Sequence, residues 1–225
     1  MNRISIIGTG KTGSKVRELL GTELLYAFDE DHPPTPDKLR ESEAVIIFVP
    51  GDAVASLLPV VLESGVPAAW GSTGFDWPED LDERVKTAQS KWVIASNFSL
   101  GMHVVRKAIE AISKASSILQ NPSYHIHEVH HIHKKDAPSG TALSWHQWLD
   151  KQAEITADRE GDVKGIHELR VRTTSESILL KHEALDRALF AEGAIWTAKQ
   201  LIFNQNLTSG VHTFEHLFDQ IMNES

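Results

Sequence analysis

A histidine-rich stretch is the part of the chain best suited to acid–base or metal chemistry. Residues 125–135 read HIHEVHHIHKK, with five histidines, two lysines and one glutamate. The sequence DAPSGTAL follows directly, and its Pro-Ser-Gly-Thr run is typical of the start of a helix. Because the formal net charge of the chain is -9, this local concentration of cationic groups predicts an anion-binding site.

A metal site and a polar strand without function are two interpretations of this stretch. Strand alternation would place the side chains on two faces: His125, His127, His131 and His133 on one, and Glu128 and His130 on the other. Histidines on one face could bind zinc. The adjacent Lys134 and Lys135 argue against a metal, because a nearby cation repels it.

An acid–base site explains more of the residues. Histidine titrates near neutral pH and commonly donates or accepts protons, and a neighbouring lysine supplies a fixed positive charge. Ser139, Gly140 and Thr141 at a helix start would offer hydroxyl and backbone N–H groups to an anion. This combination suits a small carboxylate substrate that is reduced and protonated.

A glycine-rich turn near the N-terminus predicts a dinucleotide site. Gly8, Gly10 and Gly13 form G-x-G-x-x-G between a predicted strand and a predicted helix, and Asp29 ends the next strand. A carboxylate there accepts hydrogen bonds from the ribose 2′-hydroxyl and repels a 2′-phosphate. We therefore expect NADH to be preferred, with NADPH possible. The alternative is a tight turn with a surface aspartate.

Two further loops follow predicted strands. GSTGF begins at Gly71, and ASNFS begins at Ala95. Ligands bind at the carboxyl ends of parallel strands, and small residues there permit backbone contact with a flat ring. Taken alone, each segment is also typical of an ordinary loop between a strand and a helix.

The first half alternates strands and helices. The predicted strands are Ile4–Ile7, Leu24–Phe28, Ala44–Val49, Pro67–Trp70 and Trp92–Ser96. Helices are predicted through Leu20, from an Asp52 cap to Ser64, and over Glu79–Gln89. This order predicts a doubly wound parallel sheet.

The second half has a different pattern. A helix capped by Ser99 precedes a strand over Tyr124–His133, and PSGT opens another helix. Further predicted elements are strands at His167–Arg172 and Ser177–Lys181, and helices at Ala188–Leu201 and Thr213–Met222.

Composition excludes several classes of protein. The chain has no cysteine, and therefore no disulfide or thiolate ligand. No apolar run is long enough to span a membrane, and the N-terminus does not resemble a signal peptide, so we expect a cytoplasmic protein. The acidic net charge argues against nucleic acid as a partner.

Several motifs together resemble one enzyme family. The run E-x-H-H-x-x-K-x-D-A-P-S-G-T-A, the GSTGF and ASNFSLG segments and the N-terminal G-x-G-x-x-G occur in the order found in the 4-hydroxy-tetrahydrodipicolinate reductase (dihydrodipicolinate reductase) family of bacterial diaminopimelate/lysine biosynthesis. The resemblance implies a Rossmann-type doubly wound parallel sheet with an inserted α+β substrate domain of mixed sheet. The dinucleotide-binding domain would comprise 1–97 and 188–225. The substrate-binding and oligomerisation domain would be 98–187, and the protein would be a homo-oligomer.

The resemblance also implies roles for individual residues. His130 would be the general acid and Lys134 the second catalytic cation, with no metal. The substrate carboxylates would be held by His131, Lys134, Ser139, Gly140 and Thr141. The cofactor would contact Gly8, Thr9, Gly10, Lys11, Thr12, Gly13, Asp29, Gly71, Ser72, Thr73, Ala95, Ser96, Asn97 and Phe98.

Three segments depart from the family pattern. IFVPGD at Ile47–Asp52 replaces the family's D-F-S/T-x-P, and the loop after Asp29 is short. The segment 165–184 lacks much of the family's R-x-G-x-I-x-G-x-H-x-V-x-F run. Because that run helps to build the family's tetramer, we expect a dimer or a differently assembled tetramer.

Two other functions fit the same motifs. One is a different NAD-dependent oxidoreductase on this scaffold, such as an amino-acid dehydrogenase, which needs no paired-carboxylate pocket. The other is a non-catalytic protein that senses NADH, which needs neither His130 nor Lys134.

Overall fold

A computed structural model describes residues 2–224, which form two compact units. Of the described residues, 2–99 and 187–224 form one unit, and Leu100–Asp186 form the other. The second unit is therefore an insertion in the first. No helix among the described residues is long and apolar enough to cross a lipid bilayer.

The first unit is built on a six-stranded parallel sheet. Its strands are β1 (Ile4–Ile7), β2 (Leu24–Phe28), β3 (Ala44–Ile47), β4 (Ala68–Trp70), β5 (Lys91–Ile94) and β10 (Gly210–Thr213), in the spatial order β10-β5-β4-β3-β1-β2. Its helices are α1 (Lys11–Leu20), α2 (Pro36–Arg40), α3 (Gly51–Ser64), α4 (Leu81–Thr87), α7 (Ala188–Phe203) and α8 (Phe214–Glu224), with a 3₁₀ turn at Gly21–Glu23.

Both faces of this sheet are covered by helices. On one face, side chains of β3 and β4 pack with apolar residues of α3 and α4 around Trp70 and Trp92. Helices α1 and α7 pack on each other and contact the central strands. The fully buried runs of β1 and β3 are what a sheet covered on both faces requires. The predicted doubly wound parallel sheet is confirmed.

The second unit is a mixed four-stranded sheet with two helices on one face. Its elements are α5 (Leu100–Ala115), β6 (Ser123–His130), α6 (Gly140–Leu149), β7 (Glu154–Arg159), β8 (Ile166–Arg172) and β9 (Ser177–Glu183). The strand order is β7-β6-β8-β9, with β6 and β7 parallel and the other two pairings antiparallel. The core between sheet and helices includes Ile109, Ile126 and Trp145, each fully buried.

Some predicted elements differ from the structure. Strand β6 ends at His130, so His131 and His133 lie in the following loop and not on a strand face. The helix predicted to be capped by Asp52 begins at Gly51, with Pro50 at the N-cap and no side-chain capping bond. Strands β7 and β10 and the short helix α2 were not expected from the sequence.

Candidate functional site

The glycine-rich turn has the geometry of a phosphate-binding loop. Gly8 has φ +94°, donates its N–H to Phe28 O at 2.9 Å, and would bring a Cβ to 2.1 Å from Phe48 O. A Cβ on Gly13 would lie 1.8 Å from Gly8 O, whereas a Cβ on Gly10 would meet nothing within 4 Å. Two of the glycines are therefore required by packing. The third leaves open space at the N-terminus of α1, where a ligand's phosphate groups can approach the backbone.

A cavity of about 560 Å³ extends from this turn. It is lined by Ile7, Gly8, Thr9, Gly10, Asp29, Glu30, Asp31, Pro33, Pro34, Phe48, Val49, Pro50, Ala53, Ser56 and Leu57. The glycine turn and the acid at the end of β2 thus share one apolar-walled cavity. This arrangement fits a dinucleotide, with its phosphates at the turn and a ribose at the acid.

Asp29 is held in position by the turn that follows it. Its Oδ1 accepts the backbone N–H of His32 at 2.9 Å and lies 3.3 Å from His32 Nδ1. These interactions, with the backbone hydrogen bond foremost, lower the pKa of the Asp29 carboxyl below its usual range. The group is therefore a carboxylate at neutral pH, as acceptance of a ribose hydroxyl requires.

The other predicted cofactor residues do not line this cavity. Gly71, Ser72 and Thr73 follow β4, and Ala95–Phe98 follow β5, the next strand of the sheet. A Cβ on Gly71 would lie 2.1 Å from a carbon of the Phe48 ring, so this glycine permits the ring to pack against the backbone. The structure brings Phe48 and Phe98 together, with ring centroids 5.9 Å apart.

The predicted acid His130 is the last residue of β6 and is buried at 7 % exposure. Alternation along β6 places His130 and Glu128 on the helix-covered face and His125 and His127 on the other. The rings of His125 and His127 share the Thr156 hydroxyl as a hydrogen-bond partner. The histidines of this stretch therefore fall into separate environments.

Glu128 is the centre of a buried polar cluster below His130. Its side chain has 0 % exposure, and its Oε1 accepts the Ser139 backbone N–H at 2.9 Å and the Arg159 guanidinium at 3.3 Å. Its Oε2 accepts the Ser139 hydroxyl and lies 3.5 Å from His167 Nε2 and 3.6 Å from His130 Nδ1. A fully buried carboxylate is stable only with such partners.

Arg159 connects this carboxylate to the loop that carries Lys134. Besides Glu128, its guanidinium donates to the carbonyl oxygens of Lys134 at 3.3 Å, Asp158 at 2.7 Å, and Asp136. The ammonium group of Lys134 lies 2.9 Å from Asp136 Oδ1. The planar guanidinium of Arg159 therefore attaches the loop to β7.

The proton equilibria of the cluster are set by burial and charge. Burial lowers the pKa of His130, and Lys134, Arg159 and His131 lower it further, while Glu128 opposes them. Burial also lowers the pKa of His167, to about 4. Burial alone would raise the pKa of Glu128, but its bonds to Ser139 and the nearby cationic groups bring it below the usual range. At neutral pH the cluster therefore contains an ionised Glu128 and a neutral His167.

The substrate-binding residues predicted at the start of α6 divide into two groups. Ser139 is buried, caps the helix by accepting the Ala142 N–H at 3.2 Å, and directs its own N–H and O–H at Glu128. Gly140 is exposed and Thr141 is half-buried, as is His131 in the preceding loop. Gly140, Thr141 and His131 are accessible to a ligand, whereas the buried Ser139 stabilises the start of the helix.

Three residues of the cluster have the spacing of metal ligands. Glu128, His130 and His167 each place one ligand atom within 4.8 Å of the others. The Glu128 oxygens already accept bonds from Ser139 and Arg159, and the guanidinium would repel a metal cation. Among residues 2–224, the four histidines His125, His127, His131 and His133 do not form such a group.

Sequence reasoning missed Arg159 and His167. Alternation did place Glu128 on the face of His130, and a buried carboxylate requires a cation and donors. That requirement was the available signal. It did not identify the partners. Arg159 lies on β7, which was not predicted, and His167 lies on a predicted strand whose pairing with β6 no local pattern encodes.

Comparisons with known proteins assign the chain to a family. The family model described as dihydrodipicolinate reductase, C-terminus, matches residues 101–218. The 4-hydroxy-tetrahydrodipicolinate reductase of Bdellovibrio bacteriovorus is 32 % identical over 216 residues, covering 90 % of this chain and 92 % of that protein. The protein of the same name from Xanthomonas axonopodis pv. citri is 35 % identical over 163 residues, covering 71 % of this chain and 67 % of that protein.

Solved structures share the fold. A dipicolinate-bound dihydrodipicolinate reductase from Paenisporosarcina sp. TG-14 superposes with a TM-score of 0.73 at 15 % identity, covering 96 % of this chain and 99 % of that one. A C. glutamicum DAP dehydrogenase in complex with DAP has a TM-score of 0.55 at 12 % identity, covering 100 % and 99 %. From the sequence matches, the chain belongs to the 4-hydroxy-tetrahydrodipicolinate reductase (dihydrodipicolinate reductase) family of oxidoreductases.

Proposed function

We propose that this protein reduces 4-hydroxy-tetrahydrodipicolinate (dihydrodipicolinate) to tetrahydrodipicolinate with a reduced pyridine nucleotide, in diaminopimelate/lysine biosynthesis. The observation that carries the proposal is the buried His130 at the end of β6, beside the ionised Glu128 and before the loop that carries Lys134. This arrangement suits a proton donor next to a site for anions. The family of the chain supports the same reaction.

NADH is the cofactor that the first unit fits best. The ionised Asp29 would accept the ribose hydroxyls, and Glu30 and Asp31 line the same cavity. Three acidic residues and no arginine at this position disfavour a 2′-phosphate, so NADPH would bind more weakly. Gly8 to Gly13 would hold the pyrophosphate at the N-terminus of α1. Gly71 to Thr73 and Ala95 to Phe98 are proposed to contact the rest of the cofactor.

The two substrate carboxylates would be held by the loop after β6 and the first turn of α6. Lys134 and His131 supply cationic or donor side chains, and Gly140 and Thr141 supply helix N-terminal N–H groups and a hydroxyl. Ser139 caps this helix by accepting the Ala142 N–H, and its own N–H donates to Glu128. The pocket needs no metal for this task.

In the proposed reaction, the 4-hydroxyl group leaves the ring as water, and a reduced nucleotide held by the glycine-rich turn and Asp29 would supply a hydride at C4 of the resulting unsaturated ring. The electron pair of the double bond shifts to C3, and His130 transfers a proton there. Lys134 balances the charge of the carboxylates. Placement of the acid beside the bound dianion lowers the entropic part of the barrier.

Two other functions make different predictions. An amino-acid dehydrogenase, a class whose members share this fold, would not be inhibited by pyridine-2,6-dicarboxylate, because it needs no paired-carboxylate pocket. A protein that only senses NADH would bind the cofactor without turnover. The cationic groups clustered after β6 favour the reductase.

We propose that the first compact unit binds the cofactor and the second binds the substrate. We also propose that the protein is a homo-oligomer joined through the second unit. The edge strand β9 exposes two large apolar side chains, Ile178 at 37 % and Leu179 at 49 %, and its unpaired edge supports an interface there.

Substitution of the proposed acid tests the assignment. We expect His130→Ala to lower turnover roughly 10²-fold or more, since a general acid contributes about that factor. NADH binding, measured by fluorescence titration, should change little. Lys134→Ala should raise KM for the substrate and lower turnover as well.

His133→Ala is the matched control, because His133 belongs to the same stretch but is exposed. It should retain turnover. If His130→Ala and Lys134→Ala also retain near-full turnover, the assignment of the acid and the cation is wrong.

A further inference from the structure

The ion pair between the buried Glu128 and the half-buried Arg159 has no role in the proposed reaction. Resting on that proposed function, we propose that Glu128 and Arg159 are positioning residues. Glu128 would orient and charge-balance His130, and Arg159 would hold the Lys134 loop. Neither residue would contact the substrate.

Glu128 is placed to act on one nitrogen of His130. Its Oε2 lies 3.6 Å from His130 Nδ1, a buried atom with no hydrogen-bond partner among the described residues. The other nitrogen, Nε2, would lie 3.2 Å from a Cβ at Gly165, so the glycine leaves that side of the ring open. In a protonated His130, the charge at Nδ1 would lie near the Glu128 carboxylate, and the Nε2–H would be available as the donor.

The charge of Glu128 matters because the other groups around His130 oppose its protonation. The charged and titratable groups that face it are Glu128 on β6, His131 and Lys134 in the loop, Arg159 on β7, and His167 on β8, with His182 on β9 behind His167. Only Glu128 among these is an acid. Its loss would leave a buried imidazolium among cationic groups.

Arg159 is placed to act on the loop. It binds the carbonyl oxygens of Lys134 and Asp136 and the Glu128 carboxylate, and its side chain is 20 % exposed. A guanidinium can serve these acceptors together because its donors lie in one rigid plane, whereas a lysine ammonium cannot. Replacing the guanidinium of Arg159 with a cation of another shape would therefore displace the loop that carries Lys134.

Glu128→Gln tests the charge at nearly constant shape. The pKa of His130, followed by NMR titration of the unliganded protein, should fall by roughly one unit or more. At a pH above the His130 pKa of both the wild type and the variant, the variant should turn over at least about tenfold more slowly. The difference should shrink as the pH falls. Glu128→Asp retains the charge, so the pKa of His130 should stay much closer to its wild-type value.

Asp158→Asn is the matched control for Glu128→Gln. It also removes one negative charge, but from an exposed side chain paired with His127 on the opposite face of the sheet. It should leave the His130 titration unchanged. An unchanged titration in Glu128→Gln, or an equal shift in the control, would overturn the role of Glu128.

Arg159→Lys tests the loop. We expect a rise of at least about tenfold in KM for the substrate, with NADH affinity unchanged and the His130 titration little altered. The exposed Arg172→Lys on β8 is the control and should behave like the wild type. A loss of thermal stability with an unchanged KM would mean that Arg159 only stabilises the fold, and would overturn its role.

The NMR titration separates this inference from the proposed function. It requires no turnover, so a wild-type protein that fails to reduce the substrate would refute the proposed reaction while leaving the Glu128 test intact. A normal titration shift together with failed turnover would place the same acid in a different reaction.

Discussion

At the scale of single residues, the site depends on buried groups whose charge is set by their neighbours. His167 illustrates this best, since it is 4 % exposed, its ring lies 5.0 Å from the His130 ring, and its pKa is lowered to about 4, chiefly by burial. Its neutral form occupies the space beside Glu128 without adding a positive charge. The neutral state is therefore part of the native structure.

The lowered pKa of His167 predicts a loss of stability in acid. Between pH 6.5 and pH 4 the unfolded chain takes up a proton at this position that the folded chain excludes. The free energy of unfolding should therefore fall as the pH decreases through this range, with up to about 3 kcal/mol due to His167.

His167→Gln should remove that contribution. Urea unfolding at pH 7 and at pH 4.5 would show a smaller difference in unfolding free energy for the variant than for the wild type. The exposed His133→Gln serves as the control and should follow the wild type. Equal differences in all three proteins would contradict a neutral, buried His167.

At the scale of elements, the glycine-rich turn contains one glycine that packing requires and another that leaves space for a ligand. A Cβ at Gly10 meets open space, whereas a Cβ at Gly13 would collide with Gly8 O. Gly10→Ala should leave the thermal midpoint of the cofactor-free protein within a few degrees of the wild type, yet weaken NADH binding at least about tenfold, because the methyl group would occupy the phosphate position.

Gly13→Ala should instead lower the thermal midpoint, since the helix cannot approach the strand. Thermal denaturation and NADH titration of both variants provide the measurement. If Gly10→Ala binds NADH normally, the turn does not hold the pyrophosphate.

The elements that the sequence predicted well are those with a strong apolar period. Strands β1 and β2 have the predicted bounds, because each is a short apolar run bordered by turn residues. Strand β7, EITADR, carries few apolar residues, and its structure depends on parallel pairing with β6, which no local pattern encodes.

This difference explains the uneven prediction of the site. His130 and the helix start at Ser139 followed from local motifs, and Ser139 is the observed N-cap. Arg159 reaches Glu128 only because β7 lies beside β6, 31 positions along the chain. Long-range pairing of this kind brings Arg159 to Glu128, and local sequence cannot reveal it.

At the scale of the whole molecule, an acidic chain keeps a local cationic site. The net charge of -9 contrasts with the basic groups of the loop after β6, and this contrast favours a small anion over nucleic acid as the partner. Two compact units, one inserted in the other, fit separate cofactor and substrate roles.

The exposed edge of strand β9 predicts that the protein self-associates. Because Leu179 is exposed on the edge strand β9, we expect sedimentation equilibrium to give a dimer or tetramer. Leu179→Glu should shift the equilibrium toward monomer, and Leu185→Glu, at an exposed position outside the strand, should not. A monomeric wild type would contradict an interface at this edge.

The proposed reduction of a cyclic dicarboxylate with NADH can be followed in a coupled assay. NADH oxidation would be followed with substrate formed from pyruvate and aspartate semialdehyde by a dihydrodipicolinate synthase, in parallel with NADPH and with added pyridine-2,6-dicarboxylate. We predict rapid oxidation that prefers NADH, is blocked by the dicarboxylate and is unaffected by a chelator. A folded protein that binds NADH but leaves it unoxidised would show that the proposed reaction is wrong.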